Sequence, residues 1–490
     1  MRRSLFFLLL FLAGCTAVSL PFGWTVNFAG TSGEPLPDDQ LAQRIRVPEG
    51  FGISYYAVGI ENARMLRFTR SGDLLVSAPR QGKVFLLEHD RNGDGRADAV
   101  RVLLEGLNRP HGLVVKDEWL YVAEADVVLR VPFDDAAGKV TGPLDRIIRG
   151  LPDGGRHWTR TIGIGPDDYL YVSVGSSCNV CVEEDPRRAA ISRYDLDGGN
   201  GRIYATGLRN AVGFDWHPHT LGLYATDNGR DLLGDDFPPC ELDLVVDGGD
   251  YGWPYANGER VPDPDYGSAE DKVRASIPPV YSFAAHTAPL GITFYTGRAF
   301  PARYRNAALV ALHGSWNRST KSGYKVVTLL FGDDGKITEE DFAAGFEEND
   351  EVVGRPVDVA IGPDGAAYIS DDFTGAIYRV AYGAKIISGS APSANVGAPA
   401  AYAVPDQMNP RLRAVALDRA RDLWEQHNCA VCHEGGGDPK SHRPLGGLRA
   451  KYDAASLMAY LKTPQPPMPV FPLSDFDRRD LTIFLLDRYP

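Results

Sequence analysis

Gly165-Pro-Asp-Asp-Tyr-Leu-Tyr-Val-Ser173 joins a turn rich in Gly and Asp to a short strand of alternating, strand-favouring residues. The same pattern occurs earlier, as Ser71-Gly-Asp-Leu-Leu-Val-Ser77 and Asp117-Glu-Trp-Leu-Tyr-Val-Ala123. It returns later as Leu221-Gly-Leu-Tyr-Ala-Thr226, Asn306-Ala-Ala-Leu-Val-Ala311 and Gly362-Pro-Asp-Gly-Ala-Ala-Tyr-Ile-Ser370. Most copies are spaced by about 46 to 58 residues, and one gap of about 86 holds an insertion within 231–290. Partner strands follow several copies: Gly82 to Leu87, Val127 to Val131, Tyr324 to Leu329 and Gly375 to Val380. Four short strands per period is the signature of a propeller blade. Six copies predict a mainly β chain with a six-bladed β-propeller over 45–383, rather than a β-sandwich with accidental internal similarity.

Outward from this body the character changes. Arg2 and Arg3 precede an apolar run from Leu5 to Leu12, too short to span a bilayer, which reads as an export signal. Leu12-Ala13-Gly14-Cys15 resembles the bacterial lipoprotein cleavage box. That resemblance implies a signal peptide over 1–14, lipid on Cys15, a periplasmic location and a tether over 15–44. Thr16 after the cysteine implies outer-membrane sorting. Residues 384–407, rich in Ala, Ser, Gly and Pro, read as a flexible linker. The net charge of −13 argues against a nucleic-acid partner, because phosphate binding needs basic surface.

The last stretch, 408–490, carries Cys429-Ala-Val-Cys432-His433. Two thiols at this spacing each form a thioether to one haem, and the adjacent histidine reaches the iron. Helical spacing from Arg413 to Asn428 leads into the motif, and Ser474-Asp-Phe-Asp477 resembles a capping box opening a helix from Asp475 to Tyr489. The segment resembles a small all-α class I cytochrome c, which implies Met468, in Pro466-Pro-Met-Pro469, as the sixth iron ligand. Of the other cysteines, Cys178 and Cys181 are expected to pair in an oxidising compartment, with a Cys240 partnership or a free thiol as alternatives.

Several ordered strings resemble the pyrroloquinoline quinone (PQQ)-dependent soluble glucose and sorbosone dehydrogenases, the sorbosone-type branch most closely. They are Gly150-Leu-Pro152, His157-Trp-Thr-Arg-Thr-Ile-Gly-Ile-Gly-Pro166, Ser176-Ser-Cys-Asn-Val-Cys181, Gly207-Leu-Arg-Asn210, Asp227-Asn-Gly-Arg230, Gly249-Asp-Tyr-Gly-Trp-Pro254 and Gly354-Arg-Pro-Val-Asp358. The resemblance implies His157 as catalytic base and Arg209, Asn210 and Arg355 as ligands of PQQ. It also implies a Ca²⁺ on PQQ held through main-chain oxygens at Gly229 and Arg230, where the family's usual residue is proline rather than Arg230. A family lysine near 314–318 and a family glutamine near 109–112 have no clear counterpart, so Arg109, His111 and Arg318 are candidate substitutes, and His111 competes with His157 as base.

The chemistry agrees with this resemblance. Oxidising a sugar hydroxyl removes a proton from oxygen and a hydride from carbon; histidine suits the proton, and the hydride needs a cofactor. Asp90, Asn92, Asp94 and Asp98 alternate as oxygen donors suited to a structural Ca²⁺, or form an Asx/Gly-rich hairpin turn that binds none. The expectation is a lipid-anchored quinohaemoprotein that oxidises a sugar, alcohol or aldehyde and passes electrons singly to haem, then to a downstream cytochrome or terminal oxidase. The rivals are a non-catalytic propeller that serves as a docking or sensing module for the cytochrome, and a hydrolytic propeller such as a lactonase.

Overall fold

Each of the six repeated segments forms the second strand of its own antiparallel sheet: Leu74–Ala78, Trp119–Ala123, Leu170–Val174, Leu223–Asp227, Ala308–Leu312 and Ala367–Asp371. The computed structural model describes residues 32–383 except 333, the backbone of short strands at 17–20 and 24–27, and residues 413, 417, 420–421, 423–425, 427–434, 443–465, 468–471, 473 and 475–489. Expectations at Cys15, Ser474 and the linker 384–407 lie outside the described residues. The innermost strands of the six sheets neighbour one another in a closed ring. The sixth sheet takes its outer strand, Phe51–Ala57, from the opposite end of the chain, where it pairs antiparallel with Ile377–Tyr382. This closure removes the free sheet edge that an open stack would expose.

The repeat persists because its polar residues build the turn. In the third blade Tyr171 donates its hydroxyl to Asp167 at 2.8 Å, and Arg193 on the next strand reaches the same carboxylate at 3.1 Å. The sixth blade repeats the device with Tyr368, Asp364 and Arg379 at 3.1 and 2.7 Å. The apolar strand residues alternate into clusters between adjacent sheets, such as Tyr56, Leu74, Val76, Phe85 and Ile377 between the sixth and first blades. The long gap is an insertion in the fourth blade, between Cys240–Val245 and Tyr281–Phe283. From it Gly249–Asp250 pairs in parallel with Arg202–Thr206 of the third blade.

Part of the expected tether is packed structure. Asp38–Arg44 is a short helix, and Leu41 and Ile45 sit in a core with Phe342 and Phe346. In the C-terminal segment the described residues from 413 to 425 are helical, as are Ala454–Lys462 and Asp475–Arg488. Trp424, Leu457, Phe484 and Leu485 share a separate apolar core. Among the described residues no helix is long and apolar enough to cross a membrane.

Candidate active site

In an antiparallel sheet the start of the first strand and the end of the second lie at the same end. Six blades therefore bring twelve chain segments to one rim of the propeller. The segments entering the first strands carry Arg64, Arg109 with His111, His157, Arg209, His286 and Arg355; among those leaving the second strands are Ser176, Asn228, His313 and Asp372. Between them lies a cavity of about 220 Å³, with His157, Trp158, Arg209, His313 and Trp316 in its wall.

His157 Nδ1 lies 2.9 Å from both the carbonyl oxygen and the hydroxyl of Ser176. A carbonyl only accepts, so Nδ1 carries the proton and Nε2 keeps its lone pair. The Ser176 hydroxyl donates to the Cys178 carbonyl at 2.7 Å, which turns its own lone pair toward the ring. Burial, then the Arg209 charge, push the imidazole down to about 3, so it is neutral at physiological pH. Gly175 makes this arrangement possible. A Cβ there would stand 2.4 Å from Asn210 Oδ1 and 2.7 Å from His157 Cβ, pushing the two apart.

Arg209 and Asn210 are in the wall, as the sequence implied. All five guanidinium hydrogens of Arg209 are engaged by the protein. Nε donates to Asn179 O, Nη1 to Asn228 O and Gly229 O, and Nη2 to Asn179 Oδ1 and Asp231 Oδ2, at 2.9 to 3.1 Å. Arg209 thus gives the cavity charge rather than free N–H groups. Gly229 O accepts from this fork at 2.9 Å, so a cation at that oxygen would share it with the Arg209 guanidinium. Arg230 turns away and clamps Asp263 and Asp265 of the fourth-blade insertion.

On the opposite side Arg355 has a sequence signal, whereas Arg64, His313 and Asp372 have none. Asp372 bridges Arg64 Nη1 at 2.8 Å, Arg355 Nε at 2.7 Å and His313 Nε2 at 3.1 Å. Burial raises this carboxyl, but His313 and the two arginines outweigh burial and hold it well below the usual range. Burial pushes His313 down to about 4. Arg64 and His313 line the cavity, whereas Arg355 stands one step behind them. Arg64 Nε and Asn317 Oδ1 are buried without a partner among the described residues, and both residues are in the cavity wall. Arg156 also lines it, and its side chain makes no hydrogen bond or ion pair among the described residues.

The proposed substitutes lie elsewhere. His111 is fully buried, with Nδ1 3.2 Å from Arg160 O and its ring edge-on to Trp158, outside the cavity wall. Arg109 lies over Trp158 at 5.9 Å, and Arg318 reaches Ala285 O, Asp235 O and Asp236. The 90–98 loop is a hairpin that serves its own backbone: Asp90 accepts from Gly93, Asp94 and Gly95 N–H, Asn92 from Asp94, and Asp94 from Arg96. Asp98 pairs with Arg91, and the Asp90, Asp94 and Asp98 oxygens do not converge within 4.8 Å of one another. Cys178 and Cys181 form the expected disulfide, and Cys240 is buried and unpaired.

In the C-terminal segment Cys429 and Cys432 are not disulfide-bonded, and Met468 packs at the edge of the apolar core. His433 Nδ1 donates to Arg443 O at 2.7 Å, which leaves Nε2 bare, the arrangement an iron-ligating histidine requires.

A family model described as TrAA12-like matches residues 45–237 and 266–383, a span that omits part of the fourth-blade insertion. An uncharacterised protein of Borreliella burgdorferi is 30% identical over 359 residues, covering 70% of this chain and 92% of that protein. The pyrroloquinoline quinone-dependent pyranose dehydrogenase of Coprinopsis cinerea is 25% identical over 354 residues, covering 62% of this chain but only 46% of the relative. The structure of that enzyme's PQQ domain, in its holo form, shares the fold with a TM-score of 0.60 at 21% identity, over 71% of this chain and 98% of the domain. The chain belongs to the TrAA12-like family.

Proposed function

We propose that the cavity oxidises a hydroxyl of a sugar or related alcohol or aldehyde with PQQ, and that haem c on the C-terminal segment receives the electrons. The observation that carries the reading is His157, whose tautomer is fixed by Ser176 so that a bare Nε2 remains in a cavity walled by arginines. Named relatives are PQQ-dependent sugar dehydrogenases, which supports the same chemistry here. The donor set suits a group with carboxylates: Arg64 Nε is buried without a partner among the described residues, and the Arg156 side chain makes no hydrogen bond or ion pair there. Arg64 and Arg156 would pair with the cofactor's carboxylates, Asn317 Oδ1 would accept from an N–H or O–H of the bound group, and Arg209 supplies field. When bound, PQQ supplies a two-electron acceptor for the hydride on the substrate carbon.

The residues handle the proton. It passes from the substrate hydroxyl to His157 Nε2, while Nδ1–H stays on Ser176 and shares the developing charge. Trp158 and Trp316 supply apolar surface that excludes water. Calcium at Gly229 would take the second lone pair of a carbonyl that already accepts from the Arg209 fork. The reading includes export and lipid attachment at Cys15, and the Cys178–Cys181 disulfide supports an oxidising compartment. His433 with its bare Nε2, and Met468 within the same core, support haem attached at Cys429 and Cys432. The test is to load the purified protein with PQQ, with and without Ca²⁺, add a panel of aldoses, alcohols and aldehydes, and record the haem spectrum. Reduction by a sugar supports the reading. If haem is attached and nothing reduces it, the propeller is a non-catalytic docking module.

A further inference from the structure

His157 and Arg209 come from the entrances to different blades, yet one small loop touches both. Cys178 and Cys181 close that loop, with Cα atoms 6.2 Å apart. Asn179 lies inside it, and its side chain and carbonyl make four contacts at 2.9 to 3.0 Å with two residues of the cavity wall. Asn179 O accepts from Arg209 Nε, and Oδ1 accepts from Arg209 Nη2 and from Asp231 N–H; Nδ2 donates to Asp231 O. Trp253 Nε1 from the fourth-blade insertion adds a bond to Asn179 O at 3.4 Å. One residue earlier, the Cys178 carbonyl receives the Ser176 hydroxyl that orients His157. The loop is held from the far side by Glu183, which accepts from Ser177 N–H and hydroxyl at 2.6 and 2.8 Å.

We infer that the disulfide-closed loop 178–181 is the positioning device of this site: Asn179 is the positioning residue for the Arg209 fork, and the Cys178 carbonyl sets the Ser176–His157 pair. The physical case rests on chain entropy. Four chain positions must keep a carbonyl, an amide side chain and a second carbonyl aimed in fixed directions, and an open loop at a cavity rim samples many alternatives. Cross-linking its ends removes those alternatives before any ligand arrives. The Arg209 charge then sits at a fixed distance from His157, and the imidazole keeps one tautomer.

This inference rests on the reading that the cavity holds PQQ beside a histidine base, so its test has one arm that needs no cofactor. In the full-length protein without PQQ, histidine nitrogen NMR reads the His157 tautomer, and tryptophan fluorescence titrated with PQQ reads affinity. Circular dichroism and thermal melting establish that each variant is folded. Asn179→Ala is expected to keep the Nδ1–H tautomer and to weaken PQQ binding by about tenfold. The double variant Cys178→Ser, Cys181→Ser is expected to show the same weakening and, in addition, a mixture of His157 tautomers. A loop with only a structural role would lower the melting temperature while leaving tautomer and affinity unchanged, and that result overturns the inference. If the unsubstituted protein fails to bind PQQ, the proposed function falls, while the tautomer of the double variant still decides the positioning claim.

Discussion

The two rims of the propeller use their charged groups differently. On the rim of the repeated turns, Asp167 is satisfied within its own blade by Tyr171 and Arg193, Asp364 by Tyr368 and Arg379, and Asp90 by its own loop, while exposed pairs such as Lys116 with Asp168 link neighbouring blades. On the other rim partners meet across blades, as Arg64 with Asp372, which lie 308 residues apart, and Arg64 Nε and Asn317 Oδ1 have no partner among the described residues. Locally closed polar groups fix a fold. Convergent groups with unpaired atoms leave an opening for a ligand.

The largest expected effect falls on the convergent rim. His157→Ala should lower haem reduction by substrate by about 10²- to 10⁴-fold, the usual worth of a general base, while dithionite still reduces the haem. Arg64→Gln, measured as the PQQ dissociation constant, should weaken binding by about tenfold or more through loss of a buried charged donor. Arg209→Gln should act partly through pH. The Arg209 charge lowers the His157 pKa, so its removal raises that pKa and moves the acid limb of kcat/KM to higher pH.

An intermediate effect lies between the rims. Asp243 and Glu241 sit on one face of Cys240–Val245, and burial raises Asp243 well above its ordinary value and Glu241 to about 8. The unfolded chain ionises both near pH ~4. Their contribution to stability is therefore complete below that pH and is lost as pH rises through the folded values. Asp243, whose two carboxylate oxygens are buried without partners, is the better site to substitute. Asp243→Asn should raise stability at pH ~8 by about 1–3 kcal/mol and flatten its dependence on pH, as followed by urea unfolding. The smallest effect belongs to the other rim: Tyr171→Phe should cost about 1 kcal/mol of stability and leave kcat/KM unchanged. A large loss of activity there would break the division between the rims.

This division explains what was legible in the sequence. A turn such as Gly165 to Tyr171 is written in consecutive residues, so all six second strands and four of their partner strands could be read directly. His157, Arg209, Asn210 and Gly229 were legible by resemblance and do line the cavity. Arg64, His313 and Asp372 were not, because their juxtaposition depends on blades at opposite ends of the chain. Each nonetheless occupies a position the repeat defines: Asp372 and His313 follow the second strands directly, and Arg64 lies just before a first strand. Arg109, His111 and Arg318 are near the family's lysine and glutamine positions in sequence only. His111 and Arg318 bond backbone carbonyls and Arg109 lies over Trp158, which leaves all three outside the cavity wall.

The most direct measurement is a stopped-flow record of the haem spectrum in the intact protein loaded with stoichiometric PQQ and mixed with sugar. The account predicts one haem reduced per chain in a phase whose rate is independent of protein concentration, the sugar's second electron appearing only when an added acceptor reoxidises the haem, and a rate lower by about 10²-fold or more in His157→Ala. Haem reduction that is absent with every substrate, or that survives unchanged in His157→Ala, would contradict it.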